Sequence, residues 1–89
     1  MARHELAEVE TASLGQAYAS GDFLFELGIK YSTRYSGAAD LVSAHKWFNL
    51  AALRGRVDAI AMRREVAEMM SDIEIATAQR EARTWMTSH

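Results

Sequence analysis

The chain has 89 residues, about half of them hydrophobic and a quarter charged, with a formal net charge of −2 and neither cysteine nor proline. That length supports one small core, and the balance excludes a disordered or membrane-spanning chain. The missing cysteine excludes disulfides and thiolate chemistry. Residues 1–53 carry four basic and six acidic side chains and residues 54–89 carry six of each. Neither half is the basic footprint that a phosphate backbone selects, so no nucleic-acid partner is expected. The opening MARHELAEVE is charged from its third residue and lacks an apolar h-region, so no secretory signal is expected and a cytoplasmic location is.

The absence of proline and the recurrence of alanine predict an all-α chain of about five helices. The first is expected over residues 3–20, with Leu6, Val9, Ser13 and Ala17 on one stripe. Gly21 stands where a left-handed helix-terminating residue belongs, and Asp22 is the expected N-cap of a second helix over residues 23–34. The stripe of that second helix is Leu24, Leu27, Gly28 and Tyr31, and YSGAA after it carries loop signals. Asp40 is expected to cap a third helix over residues 41–54, with Ala44, Trp47, Phe48, Ala51 and Ala52 inward and Gly55 ending it. Asp58 is expected to cap a fourth, with Ala59, Met62, Val66 and Met69 inward. Ser71 and Glu74 have capping-box spacing ahead of a fifth helix, whose stripe is Ile75, Ala78, Ala82 and Trp85. Short connections imply antiparallel neighbours.

Two similar pentads, LGQAY at Leu14 and LGIKY at Leu27, stand thirteen residues apart. No second helix fits between them, and on one helix they would lie roughly 140° apart, so they are not copies of one unit. Helix ends align better: Gly21 with Gly55 at an interval of 34, and Asp22 with Asp58 at an interval of 36. The expected organisation is a single domain over residues 1–89. It comprises a leading helix (1–21), one well-formed repeat (22–55) and a degenerate repeat acting as a cap (56–89).

The middle segment resembles the Sel1-like repeat family, relatives of the tetratricopeptide repeats in which two antiparallel helices form each unit. Leu27, Gly28 and Tyr31 match its L-G-x-x-Y. Asp40, Ala44, Trp47, Phe48, Ala51, Ala52 and Gly55 match its second-helix pattern at the family's spacing. Arg34 and Ser36 stand where the family usually has glycine, and Gly37 where it usually has an aliphatic residue, so the connecting turn is expected to be rebuilt. The resemblance implies a short α-solenoid with an adapter or scaffold role, often in bacterial complexes. First helices of successive units would then line a concave face that receives a partner peptide or helix.

On that reading Glu26, Ile29, Lys30 and Thr33, which lie off the core stripe, are the candidate partner groove, with Ile29 as apolar anchor. Met69, Met70, Trp85 and Met86 are a candidate self-association surface, which would make the chain a homodimer. The competing expectation is that the last helix folds back and buries them within one chain. The chemistry-bearing residues offer no site. His4 and His89 lie at the termini, His45 is expected on a solvated face beside Lys46, and no metal-ligand spacing occurs. No serine has a nucleophile-elbow context, no glycine loop cradles phosphate, and Arg63-Arg64 with Glu65 and Glu68 reads as a salt-laced surface. A non-enzymatic protein that needs no cofactor or metal and binds another protein is therefore expected.

Overall fold

The computed structural model describes residues 20–33 and 39–88. The expected leading helix, apart from Ser20, lies outside these residues, as do Arg34, Ser36 and Gly37. Four helices and no strands occur among the described residues: α1 (Gly21–Ser32), α2 (Leu41–Leu53), α3 (Ala59–Ala67) and α4 (Asp72–Ser88). No helix among them is long and apolar enough to cross a membrane.

The start of α1 corrects the sequence expectation. Ser20, not Asp22, is the N-cap, and its hydroxyl accepts from the Phe23 backbone N–H at 3.1 Å. Gly21 is therefore the first helical residue and not a left-handed terminator. Asp22 falls in the first turn, where its charge complements the helix dipole. At the other end, the Asp40 backbone N–H donates to the Tyr31 carbonyl at 2.9 Å, fastening the start of α2 to the end of α1. Asp40 caps α2 as expected, accepting from the Ser43 N–H at 3.0 Å and from the Ser43 hydroxyl at 2.8 Å.

Helix α2 ends in a Schellman motif. Gly55 N–H donates to Ala52 O and Arg56 N–H to Ala51 O, each at 3.0 Å, while Gly55 takes φ 96°. Only glycine enters that region cheaply. The capping box of α4 forms reciprocally, Ser71 N–H to Glu74 Oε1 at 2.9 Å and Glu74 N–H to Ser71 Oγ at 3.1 Å.

Each of the other three helices packs mainly on α2, which is the centre of the fold. Phe48, Leu50, Ala44 and Ala51 of α2 are fully buried, as are Leu24 of α1, Ala59 of α3 and Ala78 of α4. A side chain the size of Phe48 or Leu50 contributes about 1.5–3 kcal/mol when removed from water. The closest approach is between α1 and α2. A Cβ placed on Gly28 would stand 2.5 Å from two carbons of the Phe48 ring, so the ring occupies the space any side chain would need. Phe25 meets the same ring at 5.5 Å between centroids, inclined at 60°. On the α4 side, Trp47 and Trp85 meet edge to face at 5.8 Å.

A charged clip that the sequence reading missed fixes the opposite end of the α1–α2 pair. Arg56 donates through Nε (2.6 Å) and Nη2 (3.1 Å) to the two carboxylate oxygens of Asp58, and through Nη1 to Asp22 at 3.0 Å. Its guanidinium lies 3.9 Å from the centroid of the Phe25 ring. Asp58 is thus committed to Arg56 and makes no side-chain cap to α3, contrary to the sequence expectation. The hydrogen bond from Arg56 chiefly, and its charge, hold the Asp58 carboxyl below its ordinary value of 3.8.

Two outcomes follow from these contacts. Alanine is the better helix former by about 0.5–1 kcal/mol, yet Gly28→Ala is expected to lower unfolding free energy in urea by about 1–3 kcal/mol through overpacking. Phe48→Leu in the same chain should recover part of that loss, a coupling that a double-mutant cycle reads directly. Asp58 should titrate below 3.8 by NMR in the wild type and move upward in Arg56→Met. Stability drawn from the ionised Asp58 is present above 3.8 and is lost as pH falls through its lower folded value.

Candidate functional site

The periodicity of α1 places Glu26, Ile29, Lys30 and Thr33 on one side of the helix, and these four line an open surface groove of about 530 Å³. Glu26, Lys30 and Thr33 are exposed, whereas Ile29 is half-buried and also packs against the core. The groove therefore has an apolar floor anchored in the fold and a polar rim. Glu26 and Lys30 stand one turn apart with no ion pair between them among the described contacts. Thr33 closes the helix end, its hydroxyl donating to Lys30 O at 3.3 Å and its backbone N–H to Ile29 O at 3.2 Å. Leu24 and Gly28 are buried on the α2-facing side of the same helix, with Leu27 and Tyr31 half-buried against the core.

The four C-terminal candidates are not brought together as one exposed face. Met70 and Trp85 are half-buried and pack on the core within the chain. Met69 was expected inward but is 65% exposed, because α3 ends at Ala67 and the chain turns before that residue can complete the stripe. Met86 is 45% exposed. A second concavity, of about 480 Å³, runs beside Trp85 between α2 and α4 and is lined also by Lys46, Arg80, Glu81, Thr84 and Ser88. Lys46 lies 4.2 Å from the centroid of the Trp47 ring and 3.9 Å from Glu81, so its charge is already partnered there.

His45 reverses its sequence expectation most sharply: it is 3% exposed, not solvated. Its helix is packed by three neighbours, so a residue beside the main apolar stripe is covered too. One turn along, Asn49 accepts from Arg63 Nη1 of α3 at 2.6 Å. Arg63 thus reaches across to α2, and no ion pair joins Arg63 or Arg64 to Glu65 or Glu68 among the described contacts. Among the described residues no three His, Asp or Glu side chains come close enough to hold a metal ion.

Comparison with protein-family models, with curated proteins and with solved structures returned no match.

The burial pattern around the C-terminal candidates predicts a contrast. Met69→Asp should change monomer stability by less than about 0.5 kcal/mol, as exposed substitutions do. Trp85→Ala, which removes the edge-to-face contact with Trp47, should cost about 1–3 kcal/mol in chemical denaturation.

Proposed function

We propose that this chain is a non-catalytic protein–protein interaction module, an adapter or scaffold of Sel1-like type working in the cytoplasm. In this reading α1 and α2 form one antiparallel repeat, and α3 and α4 form a degenerate repeat that caps it. The observation that carries it is the groove on α1, where Glu26, Ile29, Lys30 and Thr33 combine an apolar floor with a charged rim. Such a surface suits a helical or extended peptide that inserts one apolar anchor and pairs with Glu26 and Lys30. The close Gly28–Phe48 packing supports the same reading, since it keeps α1 rigidly presented.

A second reading, self-association through the C-terminal helices, draws on Ile73, Met69 and Met86, which are 79%, 65% and 45% exposed. It makes the chain a structural or regulatory subunit.

Affinity capture from the host lysate, followed by titration with the recovered protein, separates the two. The baits are wild type, Ile29→Asp/Lys30→Glu, and a Glu26→Lys/Lys30→Glu charge swap, each matched to wild type in circular dichroism and melting. The adapter reading predicts a partner that wild type holds and that both variants bind at least tenfold more weakly, about 1.4 kcal/mol. Recovery of the chain alone by every bait, with a dimer that persists on dilution and is lost in Met69→Asp, would overturn it in favour of self-association.

A further inference from the structure

The one described buried side-chain nitrogen without a hydrogen-bond partner belongs to His45. An orphaned polar atom in a core this small costs free energy even when neutral, and a charge there costs far more. Burial chiefly, and the nearby Arg63 charge, hold the imidazole below its ordinary value of 6.5. Among the described residues, no carboxylate is paired with the imidazole. From α3, Arg63 carries a like charge and is itself held by Asn49. On α2, Lys46 is turned to Trp47 and to Glu81 of α4, so that carboxylate is engaged elsewhere. From α1, Glu26 and Lys30 line the outward groove.

We propose that His45 is an acid-sensitive latch on the α2–α3 junction: protonation sets an unpaired imidazolium in the core beside Arg63, and α3 is released from α2 before the rest unfolds. Helix α3 is the element poised to leave. It has nine residues and no side-chain N-cap, and its only buried residues are Ala59 and Val66, with Met62, Arg63 and Ala67 partly covered. The opened chain accepts the proton at the ordinary histidine value, whereas the closed chain resists it. The junction is therefore at full strength above pH 6.5 and weakens as pH falls through that value, levelling off only below the lower closed-state value. The limiting slope for one proton is about tenfold in the opening constant per pH unit. Release of α3 would also uncover the Asn49 side of α2, so acidification would change the surface the chain offers without touching the α1 groove.

Amide hydrogen exchange between pH 5 and 8, corrected for intrinsic rates, tests this on the intact chain. Wild type should show α3 amides opening at least several-fold more often at pH 5.5 than at pH 7.5, with α1 amides little changed. His45→Gln should abolish the pH dependence, and Arg63→Gln should shrink it by removing the like charge. Equal pH dependence in wild type and His45→Gln would overturn the proposal. If His45→Gln fails to fold, an NMR titration of the wild-type imidazole decides. A midpoint at or above 6.5 with α3 still protected overturns the latch, and α3 amides lost together with protonation below that value support it.

Discussion

The contact on which the fold depends is the one between the Phe48 ring and the backbone of Gly28. It puts an aromatic side chain where α1 has no Cβ, and so brings two helices closer than ordinary side chains permit. Everything else on the α1–α2 pair is arranged around that point. At one end the Tyr31 carbonyl receives the Asp40 N–H, and at the other Arg56 spans Asp22 and Asp58 with Phe25 beneath it. A buried apolar contact in the middle sets the spacing, and polar clips at both ends set the register. The clips are solvent-facing and individually weak, so the energetic centre is the ring and its neighbours Leu24, Phe25 and Ala44.

The same geometry decides what the surface can do. Turning Gly28 and Leu24 inward turns Glu26, Ile29, Lys30 and Thr33 outward, because residues that far around a helix cannot share a face. A side chain such as Ile29, packed partly on the core and partly open to the groove, links the interior to that face. Helix α2, in contact with three neighbours, offers little free surface of its own, and its few polar residues are drawn into the packing: Asn49 to Arg63, Lys46 to Trp47 and Glu81. The open face of α1 and the packing around α2 are thereby separate features of the described helices.

Much of this architecture could be read from the residues. The Ala44–Trp47–Phe48–Ala51 stripe, the Asp40 cap, the Gly55 terminator and the Ser71–Glu74 box are local signals, and local geometry decided them. Where the reading failed, the deciding contact was distant or the helix had more than one buried side. Asp22 and Asp58 have the look of N-caps, yet Arg56 takes both carboxylates across an interval of 34 residues in one case, leaving Ser20 to cap α1. His45 and Leu50 flank the apolar stripe of α2. A one-sided helix would leave them wet, and only knowledge that three helices surround α2 predicts their burial. Met69 fell outside because α3 stops two residues short of it. The α1 face, with Ile29 as its apolar residue, was legible from its place off the core stripe, while its depth and the partial burial of Ile29 needed the packed chain.

The account's central claim is the ring-on-glycine contact, and a nuclear Overhauser spectrum of the labelled protein tests it most directly. Strong cross-peaks between the Gly28 α protons and the Phe48 ring protons, with those α protons displaced from their usual shift by the ring, are the predicted result. Gly28 α protons at ordinary shifts, with no cross-peak to Phe48, would contradict the packing of α1 on α2 and with it the presentation of the groove.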